Sequence, residues 1–196
     1  MELYIVRHGE TYWNAEKKFQ GFADIELNEN GIRLAKVTGE HLRDIDFDYV
    51  YSSPLKRAYK TANLVTEGRY DIITDDRIKE INLGEYEGKH PEEVGGEFKK
   101  FFEQPEEFYS ENGETFEELR ERTSEFLKEV IVPLENKANR VLLTSHAAAI
   151  KTMLSYINGT DIKDLWKGEF QKNCAVTIVE LKDGIFKVKE EAKVFY

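Results

Sequence analysis

Short apolar strands alternate with helical segments along this chain, and this alternation is the feature that most constrains its fold. Runs rich in β-branched and aromatic residues occur at 2–6, Tyr49–Ser52 and Arg140–Ser145. Helix-like periodicity follows two of these strands, over 54–67 and 147–157. Alternating strands and helices typically form a parallel sheet covered by helices on both faces. The sequence therefore predicts an α/β three-layer sandwich with a mostly parallel central sheet.

A β-hairpin is predicted at the end of the chain. Asp183 and Gly184 lie between two strand-like runs, 175–181 and 185–188, and an Asp-Gly pair is a strong two-residue turn signal. The hairpin makes the sheet mixed, and its outer strand is a candidate interface for a homodimer. Because no repeat, low-complexity tract or linker interrupts the pattern, residues 1–196 are predicted to form a single domain.

Three side chains are predicted to cap helices. Asn28 precedes a helix that runs to about residue 43, and Thr115 forms a capping box with Glu118 at the start of a long helix. Ser53 is predicted to cap a helix whose first residue is Pro54. These caps fix where the helices begin relative to the strands before them.

Two histidines and two arginines lie at the ends of these strands or in the helical turns that follow. Arg7 and His8 follow the first strand, His146 follows Arg140–Ser145, and Arg57 lies one turn into the helix after the second strand. The carboxyl ends of parallel strands line one edge of a sheet, where such folds bind their ligands. The four side chains are therefore expected to converge on an anion site.

The types of residue there suit covalent chemistry on phosphate. A neutral imidazole at His8 can attack phosphorus, and the planar donors of Arg7 can bind phosphoryl oxygens. Gly9 has no side chain to keep its backbone away from an anion. A histidine nucleophile supported by arginines is the resulting hypothesis.

Four ordered segments of the sequence connect this hypothesis with a known protein family. They are VRHGETYWNAEKKFQGFADIELNENG (6–31), SSPLKRAYKTA (52–62), IKEINLGEYEG (78–88) and LLTSHAAAIK (142–151). Together they resemble the signature of the histidine phosphatase superfamily, also called the phosphoglycerate mutase-like family, and its α-ribazole phosphate and broad-specificity phosphatases in particular. Four motifs in order are far more specific than any single one.

The resemblance implies a role for each matching residue. It implies that His8 forms a phosphohistidine and that Glu80, which has apolar neighbours, protonates the leaving oxygen. The predicted phosphate-binding and pocket residues are Arg7, Asn14, Gln20, Gly21, Arg57, Glu80, His146 and Ala147. Two arginines and a second histidine can neutralise phosphoryl charge without a metal, so no metal site and no cofactor are expected. Ala147 departs from the glycine usual in the family; at a helix start an alanine costs nothing and keeps its N–H available.

Composition excludes several other classes of protein. The formal net charge of −10 argues against nucleic acid or an anionic membrane as a partner. The sequence has no apolar run of 18 residues and no signal-peptide core. Cys174 is the single cysteine, so no intramolecular disulfide forms, which fits a reducing compartment. The expected location is cytoplasmic and the expected partner is a small phosphate ester.

The segment 89–112 is predicted to determine substrate choice. It contains five aromatic residues among many acidic ones: Phe98, Phe101, Phe102, Phe108 and Tyr109. Two interpretations stand: the segment is a lid that presents aromatic surface to the active site, or its rings simply pack onto the domain. In either case it is poor in arginine, which argues against a substrate with two phosphates.

Three functions remain open from the sequence. The first is a metal-independent phosphomonoesterase that acts on a small phosphorylated metabolite. The second is a cofactor-dependent phosphoglycerate mutase; family mutases are generally longer and carry a Gly-Trp pair where this chain has Gln20, Gly21 and Phe22. The third is a phosphate-binding protein without turnover, which is disfavoured because every expected catalytic residue is present. The phosphatase is the preferred interpretation.

Overall fold

A six-stranded sheet forms the centre of the computed structural model, which describes residues 1–196. The strands are β1 (Glu2–Arg7), β2 (Tyr49–Ser52), β3 (Ile72–Thr74), β4 (Arg140–Ser145), β5 (Val176–Lys182) and β6 (Ile185–Lys193). Their order is β3-β2-β4-β1-β5-β6. Strands β1 to β4 are parallel to one another, β5 is antiparallel to β1, and β6 is antiparallel to β5. The predicted mixed, mostly parallel sheet with a C-terminal hairpin is confirmed.

Helices cover both faces of the sheet. They are α1 (Tyr12–Ala15), α2 (Glu29–Leu42), α3 (Lys56–Val65), α4 (Pro91–Val94), α5 (Gly96–Glu103), α6 (Phe116–Phe126) and α7 (Ala147–Asn158). A π-helical turn, Leu127–Ile131, continues α6. None of the helices has the length and apolar character needed to cross a bilayer.

The side chains of β1 point alternately to the two faces of the sheet, and they show how the three layers are held together. Leu3 and Ile5 belong to an apolar cluster with residues of α7 and of the turn after α6. Tyr4 and Val6, which point to the opposite face, belong to a second cluster with residues of α2 and α3. Both faces of the strand are therefore buried, as expected of a parallel sheet between helical layers, and the predicted three-layer sandwich is confirmed.

The predicted caps are right at two helices and wrong at a third. The side chains of Asn28 and Thr115 cap α2 and α6, as their sequence positions indicate. The helix predicted to begin at Pro54 with Ser53 as its cap begins instead at Lys56. Its N-cap residue is Leu55, whose apolar side chain cannot accept a hydrogen bond. The Ser53 hydroxyl group accepts from the N–H of Leu55 at 3.3 Å and is also bonded to His146 across the sheet edge.

A third apolar cluster lies at the end of the sheet where the parallel strands terminate. Phe101 from α5, together with Phe108 and Phe116, packs there against the alanines that begin α7. Phe101 lies within 6 Å of the ring centroids of Phe108, Phe116 and Trp166. The aromatic segment is therefore anchored to the domain by buried rings beside the strand ends.

Candidate active site

The two histidines of the sequence motifs meet at the carboxyl edge of the sheet. Strands β1 and β4 are adjacent and parallel, with Arg7 aligned to Ser145, so His8 and His146 leave the sheet side by side. The centroids of the two imidazole rings are 5.1 Å apart. The predicted convergence of distant chain segments at this edge is confirmed for these two residues.

His8 is a buried, neutral imidazole with one ring nitrogen free. Its side chain is buried, and its Nδ1 atom lies 2.7 Å from the carbonyl oxygen of Gly9. Because a carbonyl oxygen can only accept, Nδ1 carries the proton and Nε2 keeps its lone pair. Burial lowers the pKa of His8 well below its ordinary value, and the nearby charges of Arg57 and Arg7 lower it further. The ring therefore stays uncharged at neutral pH.

Arg57 is held in place by three hydrogen bonds from its guanidinium group. It is completely buried on α3 and donates from Nη2 to the carbonyl oxygen of Gly21 and from Nη1 to that of Ala23, each at 2.7 Å. Its Nε donates to Nδ1 of His146 at 3.2 Å. Burial lowers the pKa of Arg57 to about 10, so the guanidinium remains charged at neutral pH.

The loop that receives Arg57 depends on a glycine and a half-buried carboxylate. Gly21 has a φ of 52°, a conformation that favours glycine. Glu87 accepts a hydrogen bond from the N–H of Phe22 at 2.7 Å and fills the space where a side chain at position 21 would lie. Glu87 was not singled out from the sequence, although it lies within the third motif.

Arg7 presents an unsatisfied donor beside His8. One of its terminal nitrogens donates to the carbonyl oxygen of Gln171, whereas its Nε atom is buried without a hydrogen-bond partner. Burial is also the main cause that lowers the pKa of Arg7 from its ordinary value. A buried, unpaired guanidinium N–H is costly, and a bound anion would satisfy it.

Asn14 and Gln20 are oriented so that their amide nitrogens are available to a ligand. The hydroxyl group of Thr11 donates to Oε1 of Gln20 at 2.9 Å, and the backbone N–H of Thr11 donates to Oδ1 of Asn14 at 3.1 Å. Since Thr11 engages both amide oxygens, each NH₂ group is left as a donor toward the site. The Thr11–Asn14 pair is also a capping box for α1.

Glu80 lies against the first turn of α7. Its Oε1 atom accepts from the N–H groups of Ile81 and Ala149, both at 3.1 Å, and Oε2 accepts from that of Ala148 at 3.4 Å. Ala147 is the first helical residue, as expected, and its N–H is left for a ligand at this helix start.

His146 is placed differently from the other predicted residues. It is fully buried, and both ring nitrogens have partners, because Nδ1 accepts from Arg57 and Nε2 lies 2.8 Å from the hydroxyl oxygen of Ser53. The structure therefore places His146 behind Arg57, where it orients the guanidinium. Direct contact between His146 and phosphate stays a prediction.

A cavity of about 210 Å³ connects these groups. Of the nine predicted site residues, only His146 does not lie on its wall. The eight that do are Arg7, His8, Asn14, Gln20, Gly21, Arg57, Glu80 and Ala147. Most of the remaining wall is apolar: Phe19, Ile81, Leu83, Phe101, Phe102, Ala148, Trp166 and Phe170. Lys18 is the one further cation there. The cavity has a cationic floor and an aromatic wall, and the wall was only partly anticipated from the sequence.

The aromatic segment combines features of both sequence interpretations. Phe101 and Phe108 are buried, whereas 44% of Phe102 and 65% of Tyr109 remain exposed. Phe101 and Phe102 reach the cavity wall. Whether the segment 89–112 moves as a lid stays a prediction.

Gly9 serves a purpose other than the predicted one. It does not lie on the cavity wall, and a Cβ atom there would come within 2.6 Å of the carbonyl oxygen of Gly31 in α2. Its N–H donates to the hydroxyl group of Thr61 at 2.9 Å. The glycine therefore allows close packing of the loop after β1 against α2 and α3.

Other reactive groups do not add to this site. No three His, Cys, Asp or Glu side chains are grouped so that they would hold a metal ion. Cys174 is buried, and burial raises the pKa of its thiol to about 12, so a thiolate nucleophile is not formed at neutral pH.

A protein-family model and several known proteins are similar to this chain. The model of the "Histidine phosphatase superfamily (branch 1)" matches residues 3–193. "Uncharacterized phosphatase PhoE" of Bacillus subtilis is 41% identical over 158 residues, which cover 80% of this chain and 77% of that protein. "Phosphoserine phosphatase 1" of Hydrogenobacter thermophilus is 33% identical over 171 residues, covering 85% of this chain and 80% of that protein.

A solved structure and a mutase complete the comparison. Bacillus stearothermophilus YhfR aligns with a TM-score of 0.93 and 33% identity over 98% of this chain and 97% of its own. "Phosphoglycerate mutase" of Schizosaccharomyces pombe is 28% identical over 198 residues, covering 96% of this chain and 94% of that protein. Relatives of this chain thus include proteins named as phosphatases and as mutases.

Proposed function

The chain belongs to the histidine phosphatase superfamily and is an enzyme with phosphatase activity, and we propose that it hydrolyses a small phosphomonoester without a metal ion, through a phosphohistidine on His8. One observation carries this proposal. The hydrogen bond from Nδ1 of His8 to the carbonyl oxygen of Gly9 leaves the Nε2 lone pair free in the cavity that Arg7 and Arg57 also line.

In the first step His8 attacks phosphorus. A bond forms between Nε2 and phosphorus while the bond from phosphorus to the ester oxygen breaks, and the departing oxygen takes a proton from the Glu80 carboxyl group. The products are the free alcohol, the phosphorylated imidazole and the Glu80 carboxylate. The backbone N–H groups of Ala148 and Ala149 hold the Glu80 side chain in place for this transfer.

In the second step water releases the phosphate. The Glu80 carboxylate takes a proton from a water molecule as that oxygen attacks phosphorus, and the bond between phosphorus and Nε2 breaks. Inorganic phosphate leaves, His8 returns to its neutral form, and Glu80 is again protonated. Each catalytic group therefore ends the cycle as it began.

The cavity supplies the charge that the transferring phosphoryl group requires. Arg57 and the unpaired Nε–H of Arg7 offer positive donors, and the amide groups of Asn14 and Gln20 offer neutral ones. In phosphoryl transfer, catalysis comes mainly from such positioning and charge neutralisation. Donors fixed before the substrate arrives do not need to reorganise during the reaction.

The remaining wall favours hydrolysis of a monophosphate over the mutase reaction. Arg7 and Arg57 serve one phosphoryl group, and Lys18 is the one cation left on the wall for any second phosphate. A bisphosphorylated intermediate with both phosphates held in this cavity would find only Lys18 at its second group, and Lys18 already pairs with Glu16. The apolar side of the cavity is available to the alcohol part of the ester.

Product analysis distinguishes phosphatase from mutase. The enzyme is incubated with 3-phosphoglycerate and a trace of 2,3-bisphosphoglycerate, and p-nitrophenyl phosphate serves as a positive control for hydrolysis. We expect inorganic phosphate to accumulate from p-nitrophenyl phosphate, with no net formation of 2-phosphoglycerate. Accumulation of 2-phosphoglycerate faster than free phosphate would identify a mutase and contradict the proposal.

Replacement of Glu80 tests the proton donor. Glu80→Gln keeps the shape of the side chain and removes its ability to give a proton. We expect kcat/KM for an alkyl ester such as β-glycerol phosphate to fall by about 10²-fold to 10⁴-fold. The loss for p-nitrophenyl phosphate should be much smaller, because nitrophenolate leaves without protonation. An equal loss on the two esters would show that Glu80 is not the acid.

A further inference from the structure

Arg122 lies outside the cavity and uses three of its five N–H donors on the segment that carries Glu80. It projects from α6 and is 18% exposed. Its Nη1 atom donates to the carbonyl oxygens of Arg77 and Lys79, both at 2.8 Å, and Nη2 donates to that of Glu80 at 2.6 Å. Bonds to Glu114 occupy the other two N–H groups, so no guanidinium N–H is free.

The segment held by Arg122 has little support of its own. Between residues 79 and 83 the chain forms neither helix nor strand. Its backbone groups are bonded by side chains instead: the N–H of Asn82 donates to Glu114 and that of Leu83 donates to Glu87. Backbone N–H and C=O groups that are not bonded within a helix or a sheet need such partners to stay in one conformation. Arg122 is the side chain that holds the main chain of Glu80 itself.

Glu114 fixes the guanidinium in turn. Its two carboxylate oxygens accept from Nε and Nη2 of Arg122 at 2.6 and 2.8 Å, a bidentate pair in which Glu114 is only 15% exposed. Planar pairing of this kind sets direction as well as distance. The pair also places a carboxylate directly against the charge of Arg122.

We propose that Arg122 is a positioning residue for catalysis, which holds the main chain of Glu80 so that its carboxyl group reaches the leaving oxygen. The carboxylate is fixed from one side by the N–H groups of Ala148 and Ala149 and the carbonyl group is fixed from the other side by Arg122. This inference rests on the proposed function of Glu80 as acid and base. A displacement of about 1 Å at such a group can cost about 10²-fold in rate.

The planar fork of arginine is essential to this role. A lysine carries the same charge but has one nitrogen with three donors, so it cannot pair with Glu114 and reach three carbonyl oxygens. Arg122→Lys is therefore the informative variant. Arg120→Lys is a matched control on the same helix, because Arg120 is also half-buried and its one side-chain bond, 3.2 Å long, goes to the carbonyl oxygen of Thr160 away from the cavity.

The test compares two esters across wild type, Arg122→Lys, Arg120→Lys, Glu80→Gln and the double variant Glu80→Gln/Arg122→Lys. For each protein we measure kcat/KM for β-glycerol phosphate and for p-nitrophenyl phosphate. Arg122→Lys is expected to lower the alkyl-to-aryl ratio of kcat/KM by about tenfold, in the same direction as Glu80→Gln. Adding Arg122→Lys to Glu80→Gln should change that ratio no further, and Arg120→Lys should leave it as in wild type.

The outcomes separate this inference from the proposed function. If Glu80→Gln changes the ratio and Arg122→Lys lowers both esters equally, Arg122 is only structural and the inference is wrong while Glu80 keeps its role. If Glu80→Gln itself leaves the ratio unchanged, the proposed acid is wrong and the inference fails with it. Thermal unfolding of each variant identifies loss of folded protein, and the ratio is unaffected by the amount of active enzyme.

Discussion

His8→Ala is expected to lower kcat for p-nitrophenyl phosphate by about 10⁴-fold or more, because no other group on the cavity wall replaces its Nε2 lone pair. The substitution removes a buried ring, but the strand that carries it is held on both sides by β4 and β5. We therefore expect a folded protein that retains phosphate binding. Steady-state kinetics together with binding of inorganic phosphate measured by calorimetry checks both parts.

A second histidine supplies the control for this prediction. His41 is exposed at the end of α2, where its ring stacks on Phe195 with centroids 4.7 Å apart. His41→Ala should leave kcat within about twofold of wild type, since exposed substitutions away from the site have small effects. Substantial turnover by His8→Ala, with the His41→Ala control behaving as wild type, would remove His8 as the nucleophile.

Arg57→Lys should produce the second-largest loss of activity and a loss of stability as well. Lysine keeps the positive charge, but it cannot bond the carbonyl oxygens of Gly21 and Ala23 and Nδ1 of His146 from fixed directions. We expect kcat/KM for p-nitrophenyl phosphate to fall by about 10²-fold or more, through weaker charge stabilisation in the transition state. We also expect the free energy of unfolding to drop by about 2 kcal/mol, because buried acceptors lose their partners.

Arg43→Lys is the matched control for Arg57→Lys. Arg43 is 58% exposed and pairs with Glu67 on the surface, where such pairs contribute little. Denaturant unfolding and kinetics of this variant should both resemble wild type. If Arg57→Lys were as active and as stable as Arg43→Lys, the fork of Arg57 would have no part in binding phosphate or in holding the Gly21 loop.

The sequence predicted those parts of the site that depend on local patterns. A β-branched run followed at once by Arg7 and His8, and another followed by His146, placed these residues at one sheet edge, because parallel strands end together. Asn28 and Thr115 were recognisable as caps, because a cap depends on residues only three positions apart. Such signals lie within a few neighbouring residues, so they can be recognised without knowledge of the folded structure.

The parts that the sequence did not predict depend on contacts between distant segments. Ser53 satisfies the rule for a helix cap, yet its hydroxyl group bonds His146, which is 93 residues away. Glu87 and Arg122 bond backbone groups of loops, and a backbone carbonyl or N–H leaves no side-chain pattern to recognise. For the same reason, the position of His146 behind Arg57 could be established only from the folded chain.

The aromatic segment shows that amino-acid composition alone does not predict which rings are buried. Five aromatic residues in 89–112 are compatible with a lid or with packing, because burial depends on which ring meets an apolar partner. Phe101 meets Phe116 and Trp166 and is buried, whereas Phe102 packs on one side only and stays partly exposed at the cavity. Phe101 therefore fits the interpretation that the rings pack onto the domain, and Phe102 fits the interpretation that they present aromatic surface to the cavity.

Trapping of the phosphorylated enzyme tests the central claim most directly. The protein is mixed with p-nitrophenyl phosphate, denatured within milliseconds at alkaline pH, where phosphohistidine survives, and examined by mass spectrometry and chromatography of its phosphohistidine isomer. The account predicts one phosphoryl group per chain, on Nε2 of His8, because Nδ1 is bonded to the carbonyl oxygen of Gly9. A phosphoryl group on any other residue, or rapid turnover in which water enters phosphate with no phosphorylated His8 at any time, would contradict it.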